Sequence, residues 1–194
     1  PIVITGAART PMGGFQGDLQ GMTAWQLGAA AIRATVERSG LPAENVQDVL
    51  MGCANPEGAT GANIARQVAL RAGLPVSVAG TTVNRFCASG LQALAMAAQM
   101  VRVEGAKAIL AGGLESISLV QPPPRNSREA WLEEHRPDLY LPMIETADIV
   151  AARYGVSRDD QDRPVYGGTP SDFAVVQAIQ EMKARGQRVT FYPF

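Results

Sequence analysis

From Cys87 to Val103 the chain is apolar or small on nearly every side, broken only by Gln92, Gln99 and Arg102. A helix lying on a protein surface shows one apolar stripe and one polar face. This segment has no polar face, so its pattern predicts a helix in the middle of a fold.

Around it, strand and helix signals alternate, which points to an α/β layered architecture. Ile2-Val3-Ile4 reads as a short apolar strand, followed by a Gly-rich loop through Gly6, Gly13, Gly14, Gly17 and Gly21. Thr23 is placed to cap a helix whose positions Leu27, Ala31 and Ala34 share a face, and Gly40 closes it before Pro42. Val46 to Cys53 reads as a buried strand, Asn63 opens a helix with Ile64 and Val68 on one face, and Val78 to Val83 reads as the next strand. After Gly105, Lys107 to Ala111 forms another strand that runs into Gly112-Gly113. Residues 116–142 carry Pro122, Pro123 and Pro124 and a charged run from Glu133 to Arg136, the marks of an excursion outside the core. Helical spacing returns from Met143 to Tyr154, closed by Gly155, and Ser157 with Asp160 forms a capping box.

Composition excludes some functions. With a net charge of -1 and 18% charged residues there is no electrostatic footprint for nucleic acid or an acidic membrane surface. No apolar run approaches the roughly 18 residues of a membrane helix, and the first residues read as strand and turn rather than a signal peptide, so the expected compartment is the cytoplasm. Two cysteines, Cys53 and Cys87, are too few for a disulfide framework. Each is then either a small buried hydrophobe or a reactive thiol. The one histidine, His135, falls in the proline-rich excursion, where it reads as a solvated loop residue, and Cys53 falls at a strand end.

Cys87 stands where a strand hands over to the apolar helix, in Asn84-Arg85-Phe86-Cys87-Ala88-Ser89-Gly90-Leu91. The opening of a helix presents unpaired N–H groups and a positive partial charge that favour a thiolate. The same N–H groups can face a developing oxyanion, and the small residues Ala88, Ser89 and Gly90 leave room for a substrate near the backbone. From the residues alone, an acyl-transfer nucleophile and an ordinary buried cysteine both remain open.

Asn84 to Ala93 resembles the acyl-cysteine signature of the thiolases, and Gly112-Gly113-Leu114-Glu115-Ser116-Ile117-Ser118 resembles their Gly-Gly-Met-Glu-Ser-Met-Ser loop. Thr5 to Pro11, Asn63 to Gln67, Thr146 to Asp148 and Ser157 to Asp162 extend the likeness collinearly over about 160 residues. The resemblance implies an α/β fold, a thiolase-like layered α-β-α half with a buried central helix, over residues 1–162. It implies acyl transfer between acyl-CoA thioesters, as in β-oxidation, with Cys87 as the S-acyl nucleophile. Coenzyme A thioesters, acyl-CoA and acetyl-CoA, would be substrates, no cofactor would be covalently bound, and the intact parent would be a homodimer or tetramer. Many relatives have a histidine just before the position of Met143, near bound CoA; Pro142 stands there in this chain, leaving Met143 as a weak substrate-binding candidate. The activating histidine and second cysteine of such enzymes would lie in a carboxy-terminal half that this chain does not contain. The Glu115 loop would shape the core rather than supply a base.

Beyond Asp162 the sequence changes character, to Arg163-Pro164-Val165-Tyr166-Gly167-Gly168. Residues 163–194 resemble a helix-strand unit of the TIM-barrel-like domain in phage-tail or gene-transfer-agent hub proteins, which implies a fusion of two reading frames. Three readings therefore stand: an acyl-CoA acyltransferase half, a catalytically inactive thiolase remnant or fusion artefact, and a phage-tail fragment.

Overall fold

The computed structural model describes residues 2–120 and 128–162. They fall into two compact units, divided between Arg125 and Asn126.

In the first unit, helix α1 (Ala24–Ser39) begins where a polar side chain satisfies its opening donors. The Thr23 side chain accepts from the Gln26 N–H, and the Gln26 side chain accepts in return from the Thr23 N–H at 2.8 Å. Gly40, at φ 66, ends the helix in the left-handed region. Strand β1 (Asp48–Gly52) follows, then α2 (Ile64–Arg71), capped by the Asn63 side chain, and β2 (Ala79–Val83). Helix α3 (Ser89–Gln99) runs on into a π-helical turn, Met100–Glu104, and β3 (Ile109–Gly113) and the short α4 (Ile117–Val120) complete the unit.

The sheet is parallel, in the order β2-β1-β3. Central β1 is buried along Val49 to Gly52, as expected for a parallel strand covered on both faces. Val49, Met51 and Cys53 share a core with Ala24 and Ile32 of α1 and Ile64, Ala65, Val68 and Ala69 of α2. Leu50 and Gly52 point to the opposite face by strand alternation. There Gly52 meets Ser89 and Gly90, at the start of α3. The layers are α1 and α2, the sheet, then α3, so the α/β layering read from the sequence is present.

In this unit two expectations change. Ile2-Val3-Ile4 forms no strand and is exposed. The residues just after it lie along α1: Gly6 meets Thr35 and Ser39, and the Arg38 guanidinium donates to the Ala7 carbonyl at 2.8 Å. A run of three apolar residues carries no information about whether a ladder partner exists. Helix α3 is covered on one side only: Ser89, Ala93 and Ala97 are buried, while Leu91 is 70% exposed and Leu94 also faces outward.

The second unit is helical where described: α5 (Ala130–His135), a 3₁₀ turn (Pro137–Tyr140), α6 (Met143–Tyr154) and α7 (Arg158–Asp162). The Glu129 carboxylate accepts from the Trp131 and Leu132 N–H groups, which makes the charged run a helix rather than a loop. His135 closes that helix, its ring stacked on Trp131 at 4.4 Å, with Nδ1–H donating to the Trp131 carbonyl. Gly155 at φ 66 closes α6, and Ser157 and Asp160 bond reciprocally ahead of α7. Among the described residues no helix is long and apolar enough to cross a membrane. Residues 163–194, to which the phage-tail resemblance belongs, lie outside the described residues.

Candidate active site

Parallel pairing in register brings the ends of all three strands to one edge, with Val83 and Gly113 both opposite Gly52. Ligands in open parallel sheets bind outside this carboxyl edge, because the loops there are free to vary over a fixed scaffold. Three loops leave it: Cys53 to Asn55, Asn84 to Ala88, and Leu114 to Ser116. Backbone bonds tie the first and third of them to the neighbouring strand ends, from Cys53 N–H to the Val83 carbonyl and from Leu114 N–H to the Gly52 carbonyl, both at 3.0 Å.

The second loop is a tight turn that displays Cys87. The Asn84 side chain accepts from the Phe86 N–H at 2.9 Å, and the Arg85 carbonyl accepts from the Ala88 N–H at 3.1 Å. Buried Ser89 ties the turn from inside. Its Oγ accepts from the Arg85 N–H at 2.8 Å and donates to the Phe86 carbonyl, which also receives the Ser89 N–H at 3.0 Å. Phe86 is held at φ 47, a left-handed conformation that non-glycine residues adopt only when their surroundings impose it. Its ring is 76% exposed.

Cys87 itself is exposed, one residue ahead of the helix cap Ala88. The buried-cysteine reading of this position is thereby overturned. With the Ala88 and Ser89 N–H groups already bonded within the turn, Gly90 and Leu91 are the next donors of the opening turn, beyond reach of any acceptor within the helix. The turn rests directly on the sheet: a Cβ added at Gly52 would lie 2.3 Å from the Ser89 carbonyl carbon, and one added at Gly113 would lie 3.4 Å from Gly90 Cα. At position 52 only glycine permits this approach.

Cys53 is the opposite case. It is 1% exposed, and its thiol is pushed up to about 11, first by burial and then by the charge of Glu115. Its sulfur lies 3.6 Å from Glu115 Oε1. The same carboxylate accepts from the Ala54 N–H at 2.7 Å and the Asn55 N–H at 3.4 Å. Glu115 therefore shapes this loop, as its sequence context implies. Its bonds to residues 60 and more positions away have no local signature in the sequence. Nor does the role of Ser89 as the hub of the turn, although both residues fall inside recognisable motifs. Met143 opens α6 of the second unit and is 79% exposed.

Fold and site together define a layered α/β protein that displays a cysteine at the carboxyl edge of its sheet. Residues 2–164 match the thiolase amino-terminal domain, and the chain belongs to the thiolase family. It is 42% identical over 162 residues to a 3-ketoacyl-CoA thiolase of Bacillus subtilis, covering 82% of this chain and 41% of that protein. It is 41% identical over 174 residues to an acetyl-CoA acetyltransferase of Pseudomonas aeruginosa, covering 83% and 44%. An acetyl-CoA acetyltransferase of Syntrophomonas wolfei is 32% identical over 203 aligned residues, covering 97% of this chain and 50% of that protein. The chain thus spans half or less of the length of these relatives. The likeness of residues 163–194 to a phage-tail protein finds no support in these matches, and the last of them carries thiolase similarity over nearly the whole chain.

Proposed function

We propose that this chain carries the acyl-accepting part of a reaction between acyl-CoA thioesters, with Cys87 as the nucleophile. The observation that supports this best is an exposed thiol on a turn held rigidly at the opening of α3, on the carboxyl edge of the sheet. The Cys87 sulfur attacks the thioester carbonyl carbon, the bond from that carbon to the CoA sulfur breaks, and the thiol proton leaves with CoA. The Gly90 and Leu91 N–H groups are the donors available to the oxyanion formed on the way. The relatives named above as acetyl-CoA acetyltransferase and 3-ketoacyl-CoA thiolase support acetyl-CoA and 3-ketoacyl-CoA as substrates, in condensation or thiolysis. We further assign to the whole protein a cytoplasmic location, a place in β-oxidation and a homodimeric or tetrameric state, and keep Met143 as a candidate substrate-binding residue.

The carbon-carbon step needs a base and a second proton-handling group. His135 is engaged with Trp131 in the second unit, and Cys53 is buried beside Glu115, so neither is given that part. A second reading, a chain that holds the cysteine but completes no turnover, is favoured by the outward apolar face of α3. The phage-tail reading carries no functional claim.

The test is to incubate the purified chain with acetyl-CoA and map the acetyl group by peptide mass spectrometry. Acetylation at Cys87, abolished by Cys87→Ser, supports the acyl-accepting role; an unmodified Cys87 would remove it. Turnover of a 3-ketoacyl-CoA with CoA then separates a working enzyme from a non-turning chain.

A further inference from the structure

Two thiols leave the same sheet edge, yet only one faces solvent. We propose that Glu115 decides which thiol of this edge can react: its carboxylate clamps the loop after β1 to the loop after β3 and holds Cys53 as a hydrogen-bond donor, leaving Cys87 as the thiol free to react. This rests on the reading of Cys87 as the nucleophile.

The geometry is a convergence of three donors on one carboxylate, from Ala54 N–H at 2.7 Å, Asn55 N–H at 3.4 Å and the Cys53 sulfur at 3.6 Å. An ionised carboxylate only accepts. Cys53 must therefore carry its proton to join the clamp, and as a thiolate it would set a second negative charge against the first. Burial is the first cause of the raised Cys53 thiol and the Glu115 charge the second, while the Thr60 hydroxyl and the Asn55 backbone pull the other way but are outweighed. A rise from 9.0 to about 11 cuts the thiolate fraction roughly a hundredfold near neutral pH.

The test is site-resolved alkylation of the native chain by iodoacetamide over a range of pH, with and without low urea. In the unaltered chain Cys53 should lag Cys87 by roughly a hundredfold or more near neutral pH, the lag closing only in strong alkali. In Glu115→Gln the lag should shrink by roughly threefold to tenfold, independently of urea, since burial still holds part of it, with the Cys87 rate changed by less than about twofold. Equal labelling of both thiols in the unaltered chain overturns the proposal, as does a lag unmoved by Glu115→Gln. A gain at Cys53 that grows with urea overturns it too, because that marks general opening of the fold rather than loss of the clamp. Should Glu115→Gln fail to fold, Glu115→Asp decides: the shorter side chain withdraws the carboxylate from the Cys53 sulfur, so the lag should shrink, and an unmoved lag overturns the proposal. Failure of Cys87 to take acetyl from acetyl-CoA would defeat the functional reading instead, and leaves the Cys53 comparison to stand or fall on its own.

Discussion

Cys53 sets a pH limit on the stability of the first unit. Its folded-state thiol titrates at about 11 against an ordinary 9.0, so between those values the unfolded chain gives up a proton that the native chain keeps. Deprotonation then favours the unfolded state: the contribution is whole below pH 9.0 and is lost as pH climbs toward about 11. Its size is on the order of 2 kcal/mol. Urea unfolding followed across that window should show the unaltered chain losing stability more steeply than Cys53→Ser. Parallel pH profiles would show that Cys53 is not held as a thiol.

At the scale of elements, the approach of α3 to the sheet is the feature on which the Cys87 turn depends. Gly52→Ala would drive a methyl group to 2.3 Å from the Ser89 carbonyl carbon and 2.4 Å from the Gly90 nitrogen. Both contacts are backbone, so the helix itself must move. The expected loss is about 2 to 3 kcal/mol by urea unfolding, with a fall in Cys87 acylation. A variant of unchanged stability and reactivity would mean that the helix is not seated on Gly52. Much of this layout is legible in the sequence, because caps and breakers are local signals. Thr23 with Gln26 opens α1, Gly40 and Gly155 close α1 and α6, and the apolar run before Cys53 is β1. Cys87 ahead of a helix is legible for the same reason, whereas its exposure is not. Ile2 to Ile4 lack a ladder that no local pattern could foretell, and the all-round apolar character of α3 does not disclose that one face stays uncovered. The Glu115 clamp joins residues about 60 positions apart, which only the folded sheet brings together.

At the scale of the whole molecule, α3 and the turns at its two ends present apolar side chains to solvent among the described residues. Leu91, Leu94 and Val103 are exposed together with Phe86 of the adjoining turn, and exposed apolar area of this kind marks an interaction surface. The chain should bind a hydrophobic fluorescent dye under native conditions. Leu91→Ser combined with Leu94→Ser should reduce that binding while shifting stability by no more than about 0.5 kcal/mol per site. Unchanged dye binding would place the apolar surface elsewhere.

The acyl-accepting role of Cys87 can be read without a coupled assay, by counting the CoA thiol released when acetyl-CoA is added to the purified chain in a single rapid mix. A burst approaching one CoA per chain, absent in Cys87→Ser and retained in Cys53→Ser, is the expected result. No burst from a chain whose Cys87 is still freely alkylated would contradict the assignment, because the thiol would then be accessible yet unable to accept an acyl group.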